Sequence, residues 1–487
     1  MEPRSGRRRR RRPCGGSDGV DRISGLPDDL LLHILARLRC ARAAVRAGAL
    51  SRRWLGLWRR LPELYFRNMA PADLEATLAQ VALPKLSLLH IDDDFHGRAD
   101  FSAAVVASLL RTAARLDPVD FSLTAFMYRD WNIAVEMPCF VRAKSIALYV
   151  WNLSLEPPPP GGEFPVLERL SITRCQFDPI ALISRCPRLR ALKMHECFGP
   201  ETIMLRSATI EELDVHERCV KFVRIIDINA PALKKFTFDS PLYPDFNISL
   251  SAPMVESLSW ECAFGYGELA VAIDGMWCLR KVKLCTGESS RVLQLHIRRA
   301  VFDEAQAYQR NLQGMFPFPN FSALELYLET QGHVYGATVF NLLRIYNVIH
   351  KLKIVIGHRK NTDQACLPNC DCAQPQNWRS QNISLMVLEE VEIENFRGGD
   401  CEVDFLKLVF RCASLKKVMM KLDSKPNRRG CKATYNIFKA NPSVKSYVFE
   451  KCVKRNRVAL APVADVAVAD HGMLLICAGV IFPTRSN

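Results

Sequence analysis

The sequence predicts an α/β protein in which a small helical unit near the N-terminus is followed by a long, curved solenoid of strand-containing repeats. Two amphipathic helical patterns lie within residues 21–66. From about residue 80 onward, one apolar phrase recurs every 21 to 24 residues in its most regular part. A chain of 487 residues, 49% hydrophobic and 24% charged, is long enough for such an array and has an ordinary globular composition.

The leader, residues 1–20, is strongly basic. Residues 1–66 contain 16 arginines and six acidic residues, so this segment supplies most of the formal net charge of +15. The run Arg7–Arg12 predicts a nuclear import signal or an arm that contacts nucleic acid or anionic lipid; the alternative is a solvated, disordered leader. No apolar signal region follows it, so we expect a nuclear or cytoplasmic protein, or both. The remaining chain is nearly balanced in charge, which argues against nucleic acid as the main partner.

Residues 21–66 carry two helical patterns, each with one apolar face. Pro27 suits a first helical turn, and Asp28 and Asp29 place negative charge at the positive end of the helix dipole. The apolar positions of the first pattern are Leu31, Ile34, Leu35 and Leu38. Those of the other pattern are Trp54, Leu57, Trp58 and Leu61, in a helix that opens at Ser51. A unit of about 40 residues rarely stabilises itself, so something else must cover its remaining faces.

Three phrases in this unit resemble the F-box of plant proteins: Leu26-Pro27, the Asp-Asp-Leu-Leu run that follows, and Ser51-Arg52-Arg53-Trp54. The resemblance implies three helices that dock on an SKP-family adaptor, which joins a cullin scaffold and its RING subunit. The adaptor-binding residues would be Leu26, Pro27, Ile34, Leu35, Leu38, Val45, Trp54, Leu57 and Trp58. Trp54 and Trp58 fit a binding hot spot, and either is equally suited to an internal core. The alternative is a simple helical cap.

The chain departs from the F-box pattern at its second helix. Family members usually have Pro-Thr or Pro-Ser where this chain has Arg39-Cys40-Ala41. Gly48 also falls inside the predicted second helix, where an interior glycine costs about 1 kcal/mol relative to alanine. We therefore expect this helix to be weakened.

The middle of the chain, residues 80–350, repeats the phrase apolar-x-x-apolar-x-apolar. Its clearest copies, Leu167-x-x-Leu170-x-Ile172-x-x-Cys175 and Leu189-x-x-Leu192-x-Met194-x-x-Cys197, are 22 residues apart at all four positions. A period of about 20 to 29 residues, with Asn or Cys after the strand, is typical of leucine-rich repeats. One copy cannot bury its own apolar side, so neighbours stack into a solenoid. We expect Cys175 and Cys197 to be buried and reduced.

Further copies extend this array in both directions. Their central positions are Val119, Ile146, Leu213, Phe236, Leu258, Val282, Leu324, Leu352, Val391 and Val418. The steps from Val282 to Leu324 and from Leu352 to Val391 are longer, which predicts insertions or irregular repeats. Between copies, Pro179–Pro187 predicts a short helix. Unrelated strands of ordinary α/β domains are the alternative, and the constant spacing argues against them.

The residues that flank each middle leucine should face the concave side of the solenoid. They form bands of alternating charge, which suit a protein partner of both signs better than an anionic polymer. We predict a substrate-binding surface that includes Lys193, Glu212, Asp214, Lys235, Lys281 and Lys283. The alternative is a solvated strand surface without a partner.

Cys366, Cys370 and Cys372 form a cysteine-rich segment. Structural zinc needs four ligands, usually from paired knuckles, and no second knuckle follows. Cys401 or His358 would have to complete such a site. The alternative is a constrained loop between repeats, and we predict no metal and no cofactor.

The phrase from Cys370-Asp-Cys372 to Trp378, with Leu388–Gly398 and Phe405-Leu406-Lys407, resembles the FBD region of plant F-box proteins. The resemblance implies that residues 351–450 continue the array and have a structural or partner-binding role. Beyond them, the tail 455–487 matches no pattern. Its apolar stretch Gly472–Phe482 is shorter than the roughly 20 residues that span a bilayer, so we expect no membrane association.

The chain shows no recognisable catalytic motif. Its ten histidines are isolated, and Gly-rich phosphate loops, G-x-S-x-G elbows and H-E-x-x-H pairs are missing. The 18 scattered cysteines suit reduced, buried thiols rather than a disulfide framework. The resemblance therefore implies a non-enzymatic substrate receptor of a ubiquitin ligase. The alternatives are a scaffold that does not deliver ubiquitin and a zinc-dependent nucleic-acid binder.

Overall fold

The structure, a computed structural model, describes residues 25–49, 53–83, 85–93, 101–127, 133–197, 201–216, 223–240, 242–262, 271–274, 277–286, 290–299, 321–357, 370, 372, 376–381, 385–451 and 458–462. The Arg7–Arg12 run, Ser51, Cys366, His358 and residues 463–487 lie outside this part of the chain. Within it, no helix combines the length and apolar character needed to cross a membrane.

One 18-stranded sheet runs through the described chain. Its first nine strands are all parallel and pair in sequence order: β1 (Glu63–Arg67), β2 (Leu88–Asp92), β3 (Asp120–Ala125), β5 (Ser145–Val150), β7 (Arg169–Thr173), β9 (Ala191–His195), β11 (Glu212–His216), β13 (Lys235–Ser240) and β15 (Ser257–Cys262). Two small parallel sheets accompany it, formed by β4 (Ile133–Glu136), β6 (Leu153–Glu156) and β8 (Gln176–Phe177), and by β10 (Thr202–Arg206), β12 (Val223–Asn229) and β14 (Leu242–Ser251).

Two further groups complete the sheet. The central strands are β16 (Val271–Asp274), β17 (Trp277–Thr286) and β18 (Arg291–Arg299); the C-terminal strands are β19 (Ala323–Glu329), β20 (Lys351–Gly357), β21 (Glu390–Phe396), β22 (Lys417–Leu422), β23 (Lys445–Lys451) and β24 (Val458–Pro462). Strands β18 to β23 pair in parallel, so the region predicted as FBD continues the array. Part of the unassigned tail forms β24, which pairs antiparallel with β23.

The helices are α1 (Asp28–Arg37), α2 (Ala41–Ala47), α3 (Pro71–Leu78), α4 (Ala103–Leu116), α5 (Pro179–Ile183), α6 (Gly336–Ile345), α7 (Asp400–Val409) and α8 (Arg428–Ala440), with short 3₁₀ helices at Leu57–Arg60 and Gln376–Arg379. Helix α5 is the short helix predicted between prolines. Asp178 caps it by accepting from the Ile180 N–H at 2.9 Å.

The repeat phrase behaves as predicted at its clearest copies. In β7, Leu170 and Ile172 are buried, while the residues between and beside them face outward. Cys175 and Cys197 are buried at the strand ends, and their Sγ atoms lie 3.2 and 3.3 Å from the carbonyl oxygens of Val150 and Ile172. Burial raises the pKa of Cys175 to about 12, so it stays a thiol.

Strand β17 does not follow the predicted parallel repeat. Its phrase Leu279/Val282/Leu284 was expected to continue the period, yet the strand runs antiparallel to both β15 and β18. A hairpin connection is short enough to return the chain beside itself, whereas a parallel connection needs a crossover. Leu293, Leu295 and Ile297 of β18 take the next parallel position and are buried. The predicted irregularity before Leu324 is therefore confirmed.

The second and third helices of the N-terminal unit differ from the prediction. Helix α2 ends at Ala47, and Gly48 caps its end rather than lying in its interior, so the expected weakening does not apply. In the described part of the helix predicted from Ser51 through Leu61, residues 53–56 form a turn and Leu57–Arg60 form a 3₁₀ helix. Gly56, with φ of +84°, interrupts any longer helix, because that backbone conformation is left-handed.

The helical unit shares one core with the sheet. Strand β1 lies inside the range predicted as the F-box and pairs directly with β2. Trp54, Trp58 and Leu64 belong to the same buried cluster as the apolar side of α3. The Ala82 N–H also donates to the Arg59 carbonyl at 3.1 Å. The helices are therefore fused to the first repeat, and α3 lies between β1 and β2.

Candidate functional site

Five exposed apolar side chains lie on the helical unit: Leu30, Ile34, Leu38, Val45 and Leu55. We call them the apolar patch. Leu30, Ile34 and Leu38 are four residues apart and share one face of α1, while Leu31 and Leu35 on the other face are buried. Leu30 is 50% exposed and Leu55 74% exposed. A cluster of exposed large apolar residues is typical of a protein-interaction surface.

The structure divides the nine predicted adaptor-binding residues into two groups. Ile34, Leu38 and Val45 lie in the apolar patch, Pro27 is exposed and Leu26 is half-buried. The other four, Leu35, Trp54, Leu57 and Trp58, are buried in the shared core. They can hold the helices in place but present no side-chain surface to a partner. Leu30 and Leu55 were not among the predicted residues, because contiguous leucines in α1 do not show which of them faces outward.

Charged residues lie on the same helical unit as the apolar patch. The Arg53 guanidinium donates to Asp28 Oδ1 from Nε at 3.1 Å and from Nη2 at 2.8 Å, which ties the turn before the 3₁₀ helix to the start of α1. Four exposed arginines lie on α1, on α2 and between them: Arg37, Arg39, Arg42 and Arg46. Exposed apolar and basic side chains on the same unit suit a partner whose docking surface is apolar and acidic.

The outward side chains of the main sheet form a second surface, which we call the open face. Adjacent strands place Lys193 beside Asp214, and Glu212 beside Lys235. All four point away from the core. Although β17 is reversed, Lys281 and Lys283 also lie on this face, beside Glu261 and Ser259. The structure therefore brings the six predicted residues onto one side of the sheet.

Two histidines join this surface around Asp214. His216 Nε2 lies 2.9 Å from Asp214 Oδ1, and His195 Nε2 lies 3.4 Å from Asp214 Oδ2. Burial opposes ionisation of Asp214, but the hydrogen bond from His195 and the charge of His216 hold its pKa below the ordinary value. Their ligand atoms lie within 4.8 Å of one another and could hold a cation, yet the ion pairs already account for this arrangement. The histidines follow Lys193 and Asp214 by two residues, the strand period that would have revealed them.

Aromatic residues lie at the ends of neighbouring strands on the N-terminal side of this surface. The Arg174 guanidinium stacks over the Trp151 ring at 4.0 Å and pairs with Glu196 at 2.5 Å. Phe126 contacts Tyr149 with ring centroids 5.5 Å apart. Arginine, tryptophan and tyrosine are the residue types most enriched in binding hot spots. These residues lie outside the positions that flank the middle leucines, so the repeat pattern did not predict this cluster.

The C-terminal part of the open face carries a four-residue ion-pair network. Lys421 Nζ lies 2.7 Å from both Glu392 Oε1 and Glu394 Oε1, and Lys353 Nζ lies 3.0 Å from Glu394 Oε1. Burial opposes ionisation of Glu394, but hydrogen bonds from both lysines dominate and lower its pKa from 4.5 to about 2. The network therefore requires an ionised Glu394.

We expect this network to make stability fall with acid. Because the folded pKa of Glu394 lies below the unfolded one, its contribution is present above pH 4.5 and is lost as pH falls toward about 2. Glu394→Gln should flatten the decline of the urea unfolding midpoint over that window. Glu156→Gln, at an exposed position in β6, is the matched control and should retain the wild-type decline. Identical profiles for Glu394→Gln and wild type would contradict the assignment.

The cysteine-rich segment has one unexpected neighbour. Among the described residues, Cys370 and Cys372 meet His333 from the loop before α6, whereas Cys401 is not part of this group. Cys366 and His358, the other predicted ligands, lie outside the described residues. The spacing of the cysteines gave no indication of His333, which is 37 residues away from Cys370.

Two family models match different parts of the chain, one over the helical unit and one over the repeats. A family model for the F-box domain matches residues 23–65, which contain the apolar patch. The F-box protein At2g39415 of Arabidopsis thaliana is 35% identical over 82 residues, which cover 15% of this chain and 68% of that protein. A second model, for LRR repeats of the FBD-associated F-box protein At5g56370, matches residues 106–325. The chain belongs to the F-box protein family.

Longer matches come from F-box proteins that are named for leucine-rich repeats. F-box/LRR-repeat protein 13 of Arabidopsis thaliana is 25% identical over 259 residues, 50% of this chain and 52% of the relative. F-box/FBD/LRR-repeat protein At2g04230 of the same plant is 26% identical over 223 residues, 40% of this chain and 48% of the relative. The alignments thus span about half of each relative. These matches confirm the predicted plant F-box family and its α/β repeat fold, and they indicate no catalytic family.

Proposed function

We propose that this F-box protein is a substrate receptor of an SKP-cullin-F-box ubiquitin ligase. The observation that carries the proposal is the apolar patch, since five large apolar side chains stay exposed on the helices that match the F-box model. Docking on an SKP-family adaptor would cover them. The cullin and its RING subunit would then be joined indirectly, and the chain itself would supply no catalytic group.

The receptor would act through proximity. A protein held on the open face has its lysines confined near a conjugating enzyme carried by the RING subunit, which raises their effective concentration. The face offers both signs of charge and the aromatic cluster around Arg174 and Trp151. This mixture favours a folded protein or an extended segment with charges of both signs over a uniformly anionic polymer.

The direct test is reconstitution. The full chain is co-expressed with an SKP-family adaptor, purified, and mixed with a cullin–RING complex. We expect one stable assembly that supports ubiquitin transfer to proteins captured by the chain. Adaptor binding without cullin recruitment would favour the rival function, a scaffold that does not deliver ubiquitin. That rival rests on a weakened second helix and on the Arg-rich leader. Gly48 at the end of α2 removes the first of these reasons, and the leader lies outside the described residues.

We expect substrate capture to depend on Lys281 and Lys283. Reversing both to glutamate breaks the Lys281–Glu261 ion pair of 2.6 Å and places like charges together on the open face, without altering the apolar core. Captured proteins should change or be lost, while adaptor affinity stays within about twofold of wild type, because the substitutions lie far along the sheet from the apolar patch.

Both quantities are measured on the same purified variant, by mass spectrometry of captured proteins and by calorimetric titration with adaptor. Arg206→Glu, on β10 outside the main sheet, is a single charge-reversal control that should leave capture intact. An unchanged set of captured proteins in the double variant would show that this part of the open face does not bind substrate.

The nuclear or cytoplasmic location remains a prediction from the arginine run.

A further inference from the structure

Three side chains with metal-binding atoms converge at the edge of the FBD region. His333 comes from the loop between β19 and α6, and Cys370 and Cys372 come from the segment before the 3₁₀ helix at Gln376–Arg379. Cys370 Sγ lies 3.4 Å from His333 Nδ1, and all three ligand atoms lie within 4.8 Å of one another. Cys372 is buried, and the other two are half-buried.

These distances fit one tetrahedral metal ion. With zinc–sulfur bonds of about 2.3 Å and zinc–nitrogen bonds of about 2.0 Å, ligand atoms around zinc lie roughly 3.5 to 3.8 Å apart. The three ligand atoms would coordinate a single ion if the distances between them shortened by a few tenths of an ångström, or by about 1 Å for the most distant pair. Two thiolates and an imidazole select zinc over hard cations such as magnesium or calcium, which prefer oxygen ligands.

The backbone holds both sides of the group in place. Gln331 and Gly332 have left-handed φ values of +49° and +84°, and the His333 N–H donates to the Thr330 carbonyl at 2.9 Å. The Val334 N–H donates to Cys372 Sγ at 3.4 Å, an arrangement that stabilises a thiolate. A tight turn thus orients His333 towards the cysteines.

Packing fixes the cysteine segment from its other end. The Trp378 side chain is fully buried, and its ring lies against Gly336, the first residue of α6. A Cβ on Gly336 would lie 2.3 Å from that ring, so the contact tolerates no side chain. The segment and the start of α6 are therefore anchored to each other within a few residues of the three ligands.

We propose that His333, Cys370 and Cys372 bind one zinc ion, which clamps the cysteine-rich segment to the loop before α6. The described residues supply three ligands, and water or a fourth side chain would complete the tetrahedron. A site of this kind replaces the expectation that the cysteines form a loop without metal. Since the two sides of the site are far apart in sequence, the ion would cross-link the repeat at β19 to the one at β21 and add stability to the folded state.

The test measures metal in the purified full-length chain. After reconstitution with zinc and dialysis, elemental analysis should find about one zinc per wild-type chain. In the double variant Cys370→Ser with Cys372→Ser, zinc should fall to near zero, and His333→Ala should weaken binding at least tenfold. Cys412→Ser, at a buried thiol after α7, is the matched control and should keep the ion.

Cobalt provides an independent readout. Cobalt-loaded wild type should show the absorption of tetrahedral cobalt with a thiolate-to-cobalt charge-transfer band, and the double variant should lack it while its far-ultraviolet circular dichroism stays native. Zinc-free wild type after reconstitution, undiminished zinc in the folded double variant, or a Cys370–Cys372 disulfide in the native protein would each overturn the proposal. None of these outcomes depends on ubiquitin transfer.

Discussion

Replacing Leu30 and Leu38 together with aspartate is expected to abolish binding of an SKP-family adaptor while the fold stays intact. Both side chains are about half exposed, so the substitutions remove no packing from the core. In a complex they would bury two charges without partners. We expect affinity to fall by at least 100-fold, equivalent to about 3 kcal/mol, in a calorimetric titration, with an unchanged thermal unfolding midpoint.

Two comparisons make this result decisive. Val348→Asp, at a position 68% exposed in the repeat region, introduces the same chemistry away from the apolar patch and should retain full adaptor affinity. Trp54→Ala should instead lower stability by about 3 to 5 kcal/mol, because Trp54 is 4% exposed and belongs to the shared core. Wild-type affinity in the Leu30/Leu38 variant would remove the apolar patch from the docking surface.

Trp378→Ala should strongly destabilise the C-terminal part of the array. The side chain is fully buried against Gly336, and its loss leaves a large cavity between α6 and the 3₁₀ helix. Truncation of a buried tryptophan costs about 3 to 5 kcal/mol. In a repeat array this cost is local, so hydrogen exchange should accelerate most in β20 to β22 and least in β3 to β9.

The matched control for this variant is Met386→Ala. Met386 is 82% exposed only a few residues further along the chain, and its truncation should change the free energy of unfolding by no more than about 0.5 kcal/mol. Uniform acceleration of exchange along the entire sheet would show that the array unfolds as one unit. Unchanged exchange near β20 would contradict the packing role of Trp378.

The repeat strands could be predicted because their signal is local. Residues such as Leu170 and Ile172 alternate with outward positions in every strand, and the constant spacing fixes which strand follows which. The same alternation cannot reveal strand direction, since Val282 and Leu284 are equally buried in either orientation. The reversal of β17 depends on a short connection to β18, which the repeat pattern does not encode.

The sites were harder to predict because they depend on contacts distant in sequence. The apolar character of α1 is evident, but only the packing of Trp54 and Trp58 beneath it decides that Leu31 turns inward and Leu30 outward. Likewise, the spacing of the cysteines does not show that a histidine from a distant loop lies beside Cys370 and Cys372. His333 reaches Cys370 only because two left-handed residues turn the chain before α6.

The fusion of the helical unit with β1 has a consequence for the proposed receptor. In a receptor whose docking and substrate-binding parts are joined by a flexible linker, the bound protein occupies many positions. Its lysines are then modified according to how often each one comes close to the conjugating enzyme. Here the docking helices and the first strand share side chains in one core, so there is no tether to average over. The receptor would hold a bound partner at a fixed distance from the conjugating enzyme. A lysine outside the reach of that enzyme would stay unmodified, however strong the binding.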